Sequence, residues 1–332
     1  MMQTNLSLKL ACLGMFLFCS AEAFSQGAIA RQLTRDGSMK RDPCFIKNGG
    51  EIIFCYDETP DLVRMMVMSS KGGEAKPFIK DAGDKHHVEP SFSSDGRYFA
   101  YTECTGNLTA QLVIKDTQEN KLAYIRHSGR GGTRSSCFSP DSKLLVYAFA
   151  ETGPQQLWSV KPDGTDKKQL TQSEGISNWP SFTPDGKRVV FTNSRENNYE
   201  IYSMNLDGTG EKRLTENKLM DVRPVVSPDG RKIAFTSTRD GNYEIYVMGI
   251  DGGVAYRLTH NQERDDYPAW HPDSQKILFV SERLGRFDLF EVDVPPNRIL
   301  NLNTMNDSLS GSGSTGSGST GSGSTGSGAT GS

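Results

Sequence analysis

The chain of 332 residues carries 37 Lys and Arg against 40 Asp and Glu, a formal net charge of −3 at pH 7. That slightly acidic balance argues against a general nucleic-acid or anionic-membrane binder, since both need a basic surface. Apolar residues at 35% and aromatics at 9% suffice for a core when one small unit is repeated, and a closed all-β fold can use about 250 residues as a single domain.

Residues 1–23 read as a cleaved signal peptide. Lys9 supplies a weak positive start, Leu10 to Phe18 (LACLGMFLF) an apolar stretch too short to span a bilayer comfortably, and Ala21-Glu22-Ala23 the small residues for cleavage before Phe24. Cys19 follows Phe18, where a lipoprotein signal needs a small residue, so no lipidation is expected. No later segment is apolar enough to cross a membrane. The expectation is a mature protein that is periplasmic or secreted, soluble and monomeric.

After an isolated strand-like segment, Ala30-Arg31-Gln32-Leu33-Thr34, the chain becomes periodic. Asp141, Asp185, Asp229 and Asp273 fall 44 residues apart, Asp95 lies 46 before Asp141, and a further step of 46 reaches Gly49. Most sit in turn signals such as Ser227-Pro228-Asp229-Gly230, where Pro presets φ and Gly supplies φ > 0. The unit is plainest over Asp221–Thr259, where four short apolar runs alternate with turns, the pattern of a four-stranded meander. One such sheet cannot bury either face alone, so six copies predict a six-bladed β-propeller of four-stranded antiparallel blades.

The copies agree in side-chain chemistry. Five residues past the turn glycine position stand Phe54, Tyr101, Tyr147, Phe191, Phe235 and Phe279. Three past it stand Ile52, Phe99, Leu145, Val189, Ile233 and Ile277, and three before the turn Asp position Phe45, Phe92, Phe138, Phe182, Val226 and Trp270. Period-2 spacing puts the first two rows on one strand face, as an inter-blade core. The segment Ala30–Thr34 matches the fourth strands Lys168–Thr171, Lys212–Thr215 and Tyr256–Thr259, so its natural place is the outer edge of blade six. Asn297–Leu302 competes for the same slot, and the sequence does not choose between them. The propeller is expected over residues 29–302, and 303–332, largely repeated Gly, Ser and Thr, as a flexible tail or linker.

Four cysteines remain after cleavage: Cys44, Cys55, Cys104 and Cys137. Export permits disulfides, Cys44 with Cys55 or Cys104 with Cys137, and buried free thiols are an equal alternative. No CxxC is present to suggest a zinc or redox motif.

The pattern Pro-x-Phe/Trp-Ser/Thr-Pro-Asp-Gly-Lys/Arg, followed by Tyr-Glu-Ile-Tyr, Asp-Gly and Arg-Leu-Thr, resembles the TolB-type (WD40-like) propeller repeat. It is fullest at Pro180–Thr215, Pro224–Thr259 and Pro268–Asp293, and degenerate in blades one to three. The resemblance implies a scaffold or protein-binding module of the bacterial envelope that docks partners on a propeller face. TolB itself has an α/β domain before its propeller, and here a propeller strand follows the leader within a few residues. Propellers with this repeat also occur in peptidase gating domains and pectin-type lyases, so the fold alone does not name the function.

A search for catalytic motifs finds no nucleophile elbow, HExxH, phosphate loop or dinucleotide fingerprint. His86, His87, His127 and His260 are expected in loops entering inner strands, hence on one face, which keeps a metal-assisted polysaccharide lyase or glycan binder as the alternative; no cofactor or metal site is otherwise indicated. Arg195, Arg239 and Arg283 recur in step with the repeat, suiting structural ion pairs to Asp221 or Asp265, or an anion-binding crescent.

The informative positions are those that do not repeat. Asp42, Glu89, Ser135, Trp179, Arg223 and Tyr267 hold the place before the inner-strand Pro (Ser136 in blade three), and Lys40, His87, Thr133, Ser177, Asp221 and Asp265 lie two residues earlier. Both rows are expected to ring the channel mouth, with Trp179, Arg223, Tyr267, Asp42, Glu89, His87, Asp221 and Asp265 as the partner-binding set for an envelope protein or peptide. A plainer reading has Trp179 plugging the channel and Arg223 paired with a carboxylate such as Asp221.

Overall fold

The computed structural model describes residues 29–80, 83–105, 109–125 and 131–296. The expected leader (residues 1–23), the Gly/Ser/Thr-rich residues 303–332, Asn297–Leu302 and His127 lie outside these residues. The described chain forms six four-stranded antiparallel sheets, and its one helical turn is a 3-10 turn at Lys47–Gly49. Among these residues no helix is long and apolar enough to cross a membrane.

Each blade begins with an inner strand: Lys40–Ile46, His86–Phe92, Thr133–Phe138, Ser177–Phe182, Asp221–Val226 and Asp265–Trp270. The next strand follows through the Ser/Thr-x-Asp turn, which is held by its own side chains. Ser227 Oγ donates to Asp229 Oδ1 (2.6 Å) and accepts from Lys232 N (2.9 Å), while Arg231 N donates to Asp229 Oδ1 (3.1 Å). The same bonds form around Ser93, Ser139 and Thr183. Gly230 closes the turn at φ +71°, where a side chain would be strained and would press on Pro184. Turn geometry therefore accounts for this part of the repeat.

The repeated apolar rows are the core. Phe54, Tyr101, Tyr147, Phe191, Phe235 and Phe279 are all buried, as are Ile52, Phe99, Leu145, Val189, Ile233 and Ile277. They pack between blades: Val190 and Ile201 of blade four share a cluster with Ile233, Phe235 and Tyr246 of blade five. A blade cut from its neighbours would expose these faces, which is why six are needed.

The ring closes with the N-terminal segment. Arg31–Gln32 pairs antiparallel with Arg286–Asp293, as the fourth strand of blade six. The Arg-Leu-Thr motif explains the fit. In blade five, Glu244 on the third strand takes Thr259 Oγ1 (2.5 Å), Arg257 Nη2 (2.7 Å) and Asn261 N (2.7 Å), while Thr259 Oγ1 accepts from Ile245 N (2.9 Å). In blade six Asp288 takes Thr34 Oγ1 (2.7 Å) and Gln32 Nε2 (3.1 Å), and Thr34 Oγ1 accepts from Leu289 N (3.0 Å). The buried Lys40 adds a second tie, bonding Asp36 (2.5 Å) and the Phe287 carbonyl (3.2 Å) and lying 3.6 Å from Asp288.

Cys44, Cys55, Cys104 and Cys137 are free thiols. Burial pushes Cys44 up to about 12 and Cys55 well above the usual thiol range, so both are unreactive at neutral pH.

Candidate functional site

All six inner strands carry a bulge at the same place. In blade five Val222 registers with Thr236 and Val225 with Ala234, leaving two residues, Arg223 and Pro224, opposite Phe235. The shift recurs opposite Phe54, Tyr101, Tyr147, Phe191 and Phe279. The first bulged residue is Asp42, Glu89, Ser135, Trp179, Arg223 or Tyr267, and each has φ between 49° and 58°. Non-glycine residues are uncommon there, and six in register point to a feature built into the ring rather than to local irregularity. Five of the six precede a proline, which strands tolerate at bulges; this was the signal in the sequence for the irregularity.

The bulges separate the two expected rows. The residues before the prolines line one central cavity of about 160 Å³, together with Pro43, Cys44, Pro224 and Val225 among others. They are half-buried, at the third residue of five inner strands and the fourth of blade two's, rather than in the preceding loops. The residues two earlier are all buried and do not line the cavity. His87 Nε2 lies 3.5 Å from Glu103, Asp221 accepts from Arg239 Nη2 (2.7 Å) and Asn217 Nδ2 (2.7 Å), and Asp265 accepts from Ser281 Oγ (2.6 Å) and Asn261 Nδ2 (3.0 Å). Burial lowers the His87 pKa and raises those of Asp221 and Asp265, Asp265 to about 6. Their register opposite the far end of the second strand joins them to cross-strand partners, as for Asp265 with Ser281.

The cavity wall has two unlike halves. On one side Arg223 is clamped between aromatic rings, its guanidinium carbon 4.8 Å from the Trp179 ring centre and 4.2 Å from that of Tyr267. Arg223 Nη1 also meets Asp266 (3.3 Å), which takes Thr236 Oγ1 (2.8 Å) and the Tyr267 amide (2.7 Å). Arg223 thus pairs with Asp266 of the next blade and not with Asp221. Burial works against the Arg223 charge, and Asp266, Tyr267 and Asp42 outweigh it, so its pKa stays above the usual value.

On the other side stand two carboxylates. Glu89 accepts from Thr102 Oγ1 (2.9 Å) and from the backbone amide of Ser135 in blade three (2.9 Å). Burial pushes the Asp42 carboxyl up to about 7, with the charge of Glu89 adding, against opposing pulls from Arg223 and Arg41.

The recurrent arginines divide. Arg239 makes the expected pair with Asp221 and lies over the Tyr246 ring (4.7 Å). Arg195 pairs with Glu211 and stacks on Tyr202, and Arg283 bonds Ser281 Oγ and stacks on Phe290. His86 and His87 open an inner strand rather than a loop, and His86 Nδ1 accepts from Val63 N. Among the described residues no three His, Cys, Asp or Glu side chains converge in a way that could hold a metal.

A ring of six such sheets around a lined channel is a six-bladed β-propeller. Its repeats are similar to those of TolB-type propellers. Residues 207–307 match the family of the Tricorn protease N-terminal beta propeller domain. A Protein TolB homolog of Chlorobium chlorochromatii is 32% identical over 97 residues, 28% of this chain and 20% of that protein. The chain spans 20% and 35% of the length of two curated relatives it matches, the second from Agrobacterium fabrum. Among solved structures, TolB from Acinetobacter baumannii aligns with a TM-score of 0.61 at 21% identity, over 75% of this chain and 65% of that one. An oligogalacturonate lyase in complex with manganese aligns at 0.59 and 15% identity, over 82% and 95%. At these identities the structural likenesses speak for the fold.

Proposed function

We propose that this propeller is an exported binding module of the bacterial cell envelope that takes a protein or peptide partner at its channel cavity. The observation that carries the reading is the clamp of Arg223 between Trp179 and Tyr267, set in a ring whose residues change where the scaffold repeats. Trp, Arg and Tyr dominate interface hot spots, and an arginine already fixed by two rings and Asp266 loses little freedom on binding. Similarity to a TolB homolog supports a protein partner, and the leader-like residues 1–23 support export.

The test is crosslinking and capture from envelope extract with the parent protein and with an Arg223→Ala, Tyr267→Ala double variant checked by circular dichroism. The captured partner is expected to be lost from the double variant while melting is preserved. Equal binding by both proteins would refute the cavity as the site. The alternative, a metal-assisted lyase or glycan binder, draws on fold likeness to the oligogalacturonate lyase. Manganese, zinc or calcium retained by the purified protein and lost on substitution of His87 or His260 would favour it.

A further inference from the structure

We infer that the cavity receives a positively charged side chain, lysine or arginine, from the partner's peptide, seated between Asp42 and Glu89. The inference rests on the channel-cavity reading and adds the chemistry of the partner.

The argument begins with the ion pairs around the cavity. Arg41 is engaged by Asp57, and Arg223 by Asp266 and two rings. Among the described residues neither Asp42 nor Glu89 has an ion-pair partner, although both line the cavity. By contrast Asp266, Asp221, Glu200 and Glu244 each have an arginine within 3.3 Å. The hydrogen bonds on Glu89 come from two hydroxyls and a backbone amide, which orient the carboxylate without neutralising it. Arg223 cannot swing across to do so without leaving both rings and its contact with Asp266, a buried carboxylate that Arg264 also meets.

Size then selects the occupant. A cavity of about 160 Å³ is smaller than the roughly 300–1,000 Å³ of small-molecule sites. It suits one inserted side chain of an extended segment. A cationic side chain brings the missing counter-charge, and its methylene stem can pack on the prolines and Val225 of the wall.

The charged and titratable groups facing Asp42 are Glu89 from blade two, Arg41, Cys44 and Cys55 within blade one, and Arg223 and Tyr267 from blades five and six. With Asp42 held up to about 7, an arriving cation favours its ionised form and releases a proton. Binding should therefore strengthen as pH rises from 6 to 8, by up to about tenfold as the ionised fraction grows.

The experiment is panning of a phage-displayed random nonapeptide library on the immobilised protein and, in parallel, on Asp42→Asn, Glu89→Gln and Arg223→Ala/Tyr267→Ala variants. Asn tolerates the left-handed backbone of position 42, so the first variant retains the bulge. Lysine or arginine should be enriched at one peptide position on the parent protein, and that enrichment should vanish on the two carboxylate variants. The best peptide should weaken at least tenfold when its basic residue becomes norleucine, and its pH dependence should flatten in Asp42→Asn. Peptides that need Arg223 and Tyr267 but carry no basic residue would overturn the inference while leaving the channel-cavity reading intact. A library in which no peptide is enriched over the Arg223→Ala/Tyr267→Ala variant would overturn both.

Discussion

Thr34 donates to Asp288 at 2.7 Å and accepts from the Leu289 amide at 3.0 Å, reproducing across the closure of the ring the contacts that Thr259 makes with Glu244 and Ile245 inside blade five. The N-terminal segment is thus a fourth strand in chemistry as well as in position. Thr34→Val keeps shape and removes both bonds, leaving a buried amide and carboxylate oxygen short of partners, at an expected cost of about 1–3 kcal/mol in urea unfolding. Deleting residues 29–34 exposes the edge of Arg286–Asp293 and should lower the melting temperature markedly, with faster amide exchange at Leu289. Unchanged melting in the deletion would mean that another segment closes the ring.

Phe235 is fully buried between blades four and five. Phe235→Ala should cost about 3–5 kcal/mol, the transfer of a ring to water plus the cavity left behind. Chemical denaturation gives the value directly, and a loss below about 1 kcal/mol would be incompatible with its place in the inter-blade core.

Asp42 gives a pH signature. Its folded pKa of about 7 stands above the ordinary 3.8, so between these values the unfolded chain gives up its proton first. The stability that protonated Asp42 retains at low pH is lost as pH rises through that window and is gone above about 7. Asp42→Asn should therefore gain stability over the parent by more than about 1 kcal/mol at pH 8 relative to pH 4. The Asp265 group, raised to about 6, is common to both proteins and cancels. A difference independent of pH would contradict the assignment.

Ser135 tests the bulge, since it holds φ +50° with a short side chain. Ser135→Val places a β-branched residue in the left-handed region and should cost about 1–3 kcal/mol, whereas Ser135→Gly should be near neutral. Thermal melts of the two variants decide the point; equal effects would remove backbone strain as the explanation.

The period near 44 residues, the rows headed by Phe54 and Ile52, and the match of Ala30–Thr34 to the other fourth strands were legible because they are local patterns repeated in step. Alternation and turn chemistry act over a few residues, so six copies define the blade, its buried face and its outermost strand. Sequence also located the ring of Asp42, Glu89, Ser135, Trp179, Arg223 and Tyr267, since positions freed from the scaffold stop repeating. It could not separate that ring from the row two residues earlier. Strict alternation places both rows on one face, and only the bulge opposite each core aromatic turns one to the cavity and leaves the other buried. Partner choice was likewise beyond it. Arg223 meets Asp266 rather than the neighbouring Asp221, and Asp42 and Glu89 stand near one another with no ion pair among the described residues, because these distances arise between blades. Closing the ring brings residues far apart in the chain to within a few ångströms, and burial there sets which charges are matched and which are left open.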